Sequence, residues 1–319
     1  MTEPAKRMFQ EKYEAAGYSL GKELGDGKGN TARVFRAKKD DTGEEFAIKF
    51  YNPVEVDINQ KKSKIEPERF WREFLAVRDI KHPNVVRVLE CGNISDDPEK
   101  ITLPPFMVVE LLDGDLRKKM TPGMPVTLSS LPDTVRLLRK IAEGLDAVHK
   151  AKVIHRDIKP DNIMFKADEP KVADFGFAKL YDETILKGDA LAQRRRTEAG
   201  ERLGTMDYAS PEQIIAALDV TDRADVFSFG VMAYELLTGV LPFPREAFED
   251  MDDYVKRRVK PPRLEADSLD PEFPFALRDL CVRCLIREPL ERPVSSSLAD
   301  TLRQIESTLY SEGPTHGPV

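Results

Sequence analysis

Two short polar segments constrain this chain more than any other part of its sequence. The segment 155–162 contains Asp157, Lys159 and Asn162, and the segment 174–176 begins with Asp174. At this spacing, two carboxylates and an amide suit a site that holds metal-bound phosphate beside a hydroxyl nucleophile, because Mg²⁺ prefers oxygen ligands. The alternative is a pair of unrelated charged turns, so the interpretation depends on the segments that precede and follow them.

The size and composition of the chain favour a soluble globular protein. Its 319 residues are enough for one large domain or for two lobes with separate cores. Apolar residues make up 41% of the chain and charged residues 33%, which is typical of this class. The net charge of -7 argues against non-specific binding to nucleic acid, which needs a positive surface.

The sequence predicts neither a signal peptide nor a membrane span. The first residues are charged and contain no apolar core of the kind that signal peptides have. The longest apolar stretch, residues 227–243, is at the short limit for a span and contains Glu235, so we expect a buried helix instead. Three cysteines do not make a disulfide framework, which favours a cytoplasmic location.

A glycine-rich segment precedes a predicted strand in the N-terminal part of the chain. Glycines alternate at Gly25, Gly27 and Gly29, and a β-prone run that includes Val34 follows. Such glycines let a hairpin backbone close over phosphates, although an ordinary hairpin turn is the alternative. If the glycine pattern is aligned on Val34, its first glycine is Gly27. If it is aligned on the first glycine of the segment, it begins at Gly25, two residues earlier. Both registers remain open.

Further elements follow from hydrophobic periodicity. Residues 45–51, which contain Lys49, alternate as a half-buried strand does. An amphipathic helix starts near Pro67, and Glu73 lies within its apolar face, where Lys49 is the natural partner; an exposed Glu73 is the alternative. Residues 85–89 and 105–111 are predicted to be strands. Residues 131–151 keep the 3.6-residue period of a helix.

Taken in chain order, these segments and the closing Gly-Thr-Met-Asp-Tyr-Ala-Ser-Pro-Glu at 204–212 resemble the motifs of the eukaryotic-type Ser/Thr protein kinases. The resemblance extends over about residues 18–308, and the Ser-Pro-Glu-Gln ending is similar to that of prokaryotic members. It implies an α+β bilobal fold, in which an N-lobe with a five-stranded antiparallel sheet and one helix is joined to a mainly helical C-lobe. The implied boundaries are 1–17 for an extension, 18–112 for the N-lobe, 113–308 for the C-lobe and 309–319 for a flexible tail.

The resemblance also implies the roles of individual residues. Asp157 would accept the proton of a Ser/Thr hydroxyl, Lys159 would neutralise charge on the transferring phosphoryl group, and Asn162 and Asp174 would hold Mg²⁺, with Mn²⁺ as the alternative ion. The residues implied to bind ATP are Gly25, Gly27, Gly29, Val34, Ala47, Lys49, Glu73, Val109, Glu110, Leu112, Asp115 and Met164.

Regulatory and structural roles are implied in the same way. Arg156, joined by Lys179, would grip a phosphorylated activation loop, and Thr205 would contact the catalytic acid and lysine. We hypothesise that Thr197 is autophosphorylated, in trans within a transient homodimer. The implied structural residues are Asp225, which would tie down the backbone of the catalytic loop, and Arg292, which would pair with Glu212.

Two other readings of the sequence compete with a protein kinase. A small-molecule phosphotransferase with a kinase-like fold usually lacks the Ser-Pro-Glu ending and the helix that begins at Asp225. A regulatory protein that only binds nucleotide is expected to lose Lys49, Asp157 or Asp174. All of these features are present, so the sequence favours transfer of phosphate from ATP to a protein substrate. Cys281 and Cys284 resemble half of a zinc site, but without a second ligand pair we expect them to be packing residues.

Overall fold

The computed structural model divides into two compact units, with one break between Asp113 and Gly114. The first unit holds the described residues up to Lys81 together with those from Val86 to Asp113. The second holds residues 82–85 and the described residues from Gly114 onward. The structure describes residues 17–24, 32–51, 75–92, 106–121, 130–175, 206–215, 220–246 and 249–311.

The first unit is built on one antiparallel sheet, which confirms the predicted five-stranded N-lobe sheet. Its strands are β1 (Tyr18–Leu24), β2 (Ala32–Lys39), β3 (Glu45–Tyr51), β4 (Val88–Gly92) and β5 (Phe106–Glu110), in the order β1-β2-β3-β5-β4. Every neighbouring pair is antiparallel. Residues 75–79 are helical, at the end of the helix that the sequence predicts from Pro67.

The prediction of a strand over 85–89 was wrong in its bounds. The strand begins at Val88, and Val85 instead forms an isolated parallel bridge with Val172 of the second unit. The segment 82–85 belongs to that second unit, so its apolar residues pack there rather than in the sheet. Hydrophobic alternation does not reveal such a change of partner.

The buried core of the first unit and four of the predicted ATP-binding residues lie on opposite faces of this sheet. The buried core of the unit lies on one face and comprises Tyr18, Ala37, Phe46, Ile48, Phe106 and Val108. Because side chains alternate along a strand, Ala47 and Lys49 lie on the opposite face of β3. Val34 pairs with Lys49 and Val109 pairs with Ala47 across the neighbouring strands. The register therefore brings four of the predicted ATP-binding residues to one face.

The second unit is mainly helical, as predicted for the C-lobe. Its described helices are α1 (Leu131–Lys150), α2 (Pro211–Ile214), α3 (Arg223–Thr238), α4 (Met251–Val259), α5 (Phe275–Cys284) and α6 (Ser295–Ser311). A small antiparallel sheet joins β6 (Gly114–Asp115), β7 (Ile163–Lys166) and β8 (Glu169–Val172) in that order. The segment 155–162, which is predicted to be catalytic and is called the catalytic segment below, lies between α1 and β7.

Helix α3 lies in the core of this unit. Most of its residues are buried, and it ends at Thr238 with Gly239 as its C-cap, which adopts a left-handed φ of 80°. Cys281 and Cys284 are buried against it, and burial raises the pKa of the Cys281 thiol to about 12. A protonated thiol in this environment is a packing group. Within the described ranges, no helix combines the length and the apolar character needed to cross a bilayer.

Candidate active site

His155 sets the conformation at the start of the catalytic segment. Its ring is buried and lies 4.8 Å, centroid to centroid, from the ring of Phe175. The backbone N–H of Asp157 donates to Nδ1 at 3.3 Å, which assigns the ring proton to Nε2. Nε2 then donates to the carbonyl of Ala173 at 2.9 Å. His155 thus ties the segment that contains Asp157 to the one that contains Asp174.

Asp225 holds the backbone of the same segment from the N-terminal turn of α3. Its Oδ2 accepts from the backbone N–H of His155 and its Oδ1 from that of Arg156, both at 2.7 Å. Nε2 of His149 donates to Oδ2 at 2.9 Å. Burial alone would raise the pKa of the Asp225 carboxyl, but the hydrogen bond from His149 and the interactions with His149 and His155 together hold it below its ordinary value.

The backbone that Asp225 holds is strained. Arg156 has a φ of 66°, a left-handed conformation that L-residues with side chains adopt at a cost. Asp174 has a φ of 59°. Arg156 directly precedes the predicted catalytic acid Asp157, and Asp174 is itself a predicted metal ligand.

Asp157, Lys159 and Asn162 form one hydrogen-bonded cluster. The Asn162 amide nitrogen donates to the Asp157 carbonyl at 2.6 Å and to its Oδ2 at 2.8 Å. Nζ of Lys159 lies 3.0 Å from the same Oδ2, and the side chains of Lys159 and Asp157 are 16% and 17% exposed. The carboxylate is therefore fixed in position and still reachable from solvent.

Asn162 and Asp174 lie on adjoining backbones. The backbone N–H of Ala173 donates to the carbonyl of Asn162 at 2.9 Å, and the exposed Asp174 follows directly. Because the Asn162 amide nitrogen faces Asp157, its amide oxygen is the atom available as a ligand. One amide oxygen and one carboxylate suit Mg²⁺ or Mn²⁺, whose other ligands come from nucleotide phosphates and water. No group of three or more His, Cys, Asp or Glu in the described parts of the chain could hold a metal without such help.

The predicted nucleotide-binding residues that the structure describes fall in both units. In the first unit, Glu110 is the last residue of β5. Its carboxylate Oε1 accepts from the backbone N–H of Arg87 at 2.7 Å, and its own backbone N–H donates to the carbonyl of Arg87 at 3.0 Å. Leu112 follows β5 and is half-buried. In the second unit, Asp115 of β6 pairs in register with Met164 of β7.

Comparison with known proteins agrees with this geometry. The protein kinase domain family matches residues 18–302 of the chain. The chain belongs to the protein kinase family. Relatives include serine/threonine-protein kinase pkn2 of Myxococcus xanthus, which is 31% identical over 91% of this chain, and pkn3 of the same organism, which is 31% identical over 85%. The probable serine/threonine-protein kinase PknB of Lactococcus lactis is 28% identical over 85%.

The predicted membership of the kinase family is thereby confirmed, and these relatives are bacterial, as the Ser-Pro-Glu-Gln ending indicated. The kinase chain spans 33%, 46% and 39% of the lengths of these three proteins.

The closing segment of this kinase is anchored by a buried ion pair. Arg292 donates to Glu212 through two nitrogens, at 2.6 and 3.0 Å. The remaining donors of the guanidinium bond the carbonyls of Arg223, Ile286 and Arg287 at 2.6–2.9 Å. All five N–H groups of Arg292 are therefore used.

The kinase contains a charged network that sequence reasoning missed. Arg117 lies 2.9 Å from Glu235 of α3 and 3.4 Å from Asp161 of the catalytic segment, and it also donates to the hydroxyl of Tyr208. Tyr208 in turn donates to Glu235. These four residues are far apart in the sequence, and no local sequence pattern predicts that they are in contact.

Arg258 of α4 is a second residue that the sequence did not reveal. Its side chain is fully buried, and one nitrogen donates to the carbonyls of Met206, Asp207 and Ala209, at 3.4, 3.0 and 2.7 Å. The segment that directly follows Thr205 is thus held by α4. The hydrogen bond from His149 to Asp225 also joins residues far apart in the sequence and was not predicted.

Other predicted positions lie outside the described residues. They are Gly25, Gly27, Gly29, Glu73, Lys179, Thr197 and Thr205. The guanidinium of Arg156, predicted to read phosphate on Thr197, is buried, and its Nη1 donates to the carbonyl of Ile154 at 3.1 Å.

Proposed function

We propose that this chain is an ATP-dependent protein kinase that phosphorylates Ser and Thr hydroxyls of proteins. The observation that carries the proposal is the fixed cluster of Asp157, Lys159 and Asn162 beside Asp174. The names of the relatives, all of them serine/threonine-protein kinases, support the same substrate class.

In the proposed reaction, Asp157 orients the substrate hydroxyl and accepts its proton. The hydroxyl oxygen forms a bond to the γ-phosphorus while the bond from that phosphorus to the β-phosphate oxygen breaks, and ADP leaves. Lys159 compensates negative charge on the transferring group. Asn162 and Asp174 would hold Mg²⁺ or Mn²⁺, which when bound neutralises charge on the phosphates.

Residues of the first unit are proposed to bind ATP. Lys49 would bind phosphate oxygens, and Val34, Ala47 and Val109, on the same face of the sheet, would offer apolar surface to the adenine. The same proposal includes autophosphorylation of Thr197 within a transient homodimer. A reducing compartment such as the cytoplasm suits the free thiols of the buried cysteines.

Transfer of radiolabelled γ-phosphate to casein tests the proposal. Asp157→Asn should reduce kcat about 10²–10⁴-fold, because the variant keeps the shape of the side chain but cannot accept the proton. Asp174→Ala should also lose activity. Asp168→Asn, in the exposed turn between β7 and β8, is the matched control and should label casein like the wild type.

Three further measurements complete the test. A chelator should stop labelling, and Mg²⁺ or Mn²⁺ should restore it. Hydrolysis of the labelled casein should yield phosphoserine and phosphothreonine. Equal labelling by the wild type and Asp157→Asn would rule out the proposed mechanism.

A further inference from the structure

Gln213 is a buried polar residue that the catalytic mechanism described so far does not use. It lies on the one-turn helix α2, directly after Glu212, and is 6% exposed. Its Oε1 accepts from the backbone N–H of Ser210 at 3.1 Å and from the Ser210 hydroxyl at 3.3 Å, and its own backbone N–H donates to Ser210 Oγ. This capping box fixes the orientation of the side-chain amide.

The amide nitrogen of Gln213 faces the catalytic segment. Nε2 donates to the carbonyl of Arg156 at 2.9 Å, and this hydrogen bond is buried. Arg156 is the residue with a φ of 66°, and its N–H is bound by Asp225. Side chains from two different helices therefore hold both backbone groups of one strained residue.

The hydrogen bond from Gln213 also fixes the orientation of the peptide unit between Arg156 and Asp157. The carbonyl of Arg156 and the N–H of Asp157 belong to the same planar peptide unit. Gln213 holds the oxygen of that unit, and His155 Nδ1 accepts from its N–H. A rotation of this unit would move the Asp157 carboxylate.

We infer that Gln213 is a positioning residue for phosphoryl transfer, acting on Asp157 through the Arg156 peptide. The inference rests on the proposed kinase function. Gln213 touches neither substrate nor nucleotide in this role. Gln213 lies on α2, which follows the segment after Thr205, and it contacts the peptide that precedes Asp157. A shift of α2 would therefore be transmitted to Asp157.

Gln213→Glu separates the two contacts of this side chain. The variant keeps an oxygen that accepts from Ser210, but a carboxylate cannot donate to the Arg156 carbonyl. At pH 8 we expect kcat to fall about 10- to 100-fold, because small displacements of a catalytic group cost this much. The KM for ATP should stay within about twofold.

The pH profile distinguishes positioning from general support of the fold. As the pH falls towards 6, the buried carboxyl of the variant becomes protonated and its O–H can donate to Arg156. The ratio of variant to wild-type kcat should therefore rise several-fold between pH 8 and pH 6, while both proteins stay folded by thermal melting. A ratio that stays constant with pH would overturn the inference.

Two further variants keep the test decisive. Ser210→Ala is the matched control: it removes part of the cap but leaves the bond from Gln213 to Arg156, so its melting temperature should fall while kcat stays within about twofold. Gln213→Met serves if the buried carboxylate prevents folding, and it should lower kcat at every pH without recovery. Wild-type kcat in Gln213→Met, or an equal loss in Ser210→Ala, would overturn the inference. An inactive wild type would instead defeat the proposed function.

Discussion

Asp225 shows how one buried carboxylate stabilises a backbone conformation. It accepts hydrogen bonds from two consecutive backbone N–H groups and from His149, and it remains charged although it is fully buried. A hydrogen bond to a charged group contributes about 1.5–3 kcal/mol. The set is therefore large enough to offset the cost of the left-handed Arg156, which is of the order of 1–3 kcal/mol.

The lowered pKa of Asp225 predicts a specific dependence of stability on pH. A carboxyl whose pKa is lower in the folded than in the unfolded protein stabilises the fold above its ordinary pKa, and this contribution is lost as the pH falls through the folded pKa. Asp225→Asn should reduce the free energy of unfolding by about 3 kcal/mol or more at pH 7, and this difference should shrink as the pH falls below the ordinary carboxyl pKa.

Urea unfolding followed by tryptophan fluorescence at pH 7, 5, 4 and 3 measures this difference. Asp222→Asn, three residues earlier and 40% exposed, is the control and should follow the wild type. Parallel pH curves for the wild type and Asp225→Asn would contradict the assignment.

The sequence predicted some residues of the site better than others. Asp157, Asn162 and Asp174 lie within short motifs, so their identity and spacing were readable. Asp225 followed from the family resemblance. Gln213 carries a readable signal, since Ser210 and Gln213 have the spacing of a capping box, but its bond to Arg156 joins residues far apart in the chain and depends on the fold.

At the scale of elements, helix α1 was predicted to within one residue because its apolar face keeps a regular period over twenty residues. Its N-terminus is also signalled locally, since Ser130 caps the backbone N–H of Asp133. Strand β4 was misplaced because Val85 and Val88 are equally apolar, and only the tertiary structure assigns them to different units. Periodicity predicts that a residue is buried but not which element buries it.

Gly144 of α1 allows a close approach that the sequence does not reveal. A Cβ atom at this position would lie 2.3 Å from the carbonyl oxygen of Asn84. Asn84 cannot move away easily, because its amide nitrogen donates to the carbonyl of Pro170 at 2.9 Å and to Glu169 at 2.6 Å. The helix and the segment 82–85 are therefore in backbone contact.

Gly144→Ala should destabilise the protein by about 1–3 kcal/mol through overpacking. This is opposite to the gain of about 1 kcal/mol that the same change brings in an unobstructed helix interior. Thermal or urea unfolding measures the sign of the change. Gly114→Ala, where no atom lies within 4 Å of the added Cβ, is the control for substitution without a clash. A stabilised Gly144→Ala variant would show that the contact is absent.

At the scale of the whole molecule, the sequence predicted the family, the five-stranded sheet of the first unit and the helical second unit. It did so because many separate motifs occur in one order, and each motif limits where the others lie. Long-range contacts were predicted only where the resemblance supplied them, as for Arg292 and Glu212. The networks around Arg117 and Arg258 were not, because arginine contacts with carbonyls and distant carboxylates leave no pattern in the chain.

Arg292 connects three distant parts of the second unit, and its planar guanidinium is needed for this. It binds Glu212 after the closing segment, the carbonyl of Arg223 at the start of α3, and two carbonyls after α5. The lysine of Arg292→Lys has three donors on a single nitrogen, which cannot reach all of these groups. Arg292→Lys should therefore lower the free energy of unfolding nearly as much as Arg292→Ala, by about 3–5 kcal/mol.

Circular dichroism melting tests this prediction, with an expected drop of about 6–15 °C for both variants. Arg263→Lys, at a side chain that is 80% exposed, is the matched control and should melt within about 1–2 °C of the wild type. A wild-type melting temperature for Arg292→Lys would show that the Arg292–Glu212 pair contributes no more to stability than an exposed ion pair does.

The left-handed conformation of Asp174 has a consequence for laboratory evolution. Glycine adopts a φ near 59° without the penalty that a side chain brings. A library screened for heat resistance alone would therefore tolerate or enrich this substitution while discarding a proposed metal ligand. Stabilised variants of this protein should accordingly be selected for labelling of substrate as well as for survival of heating.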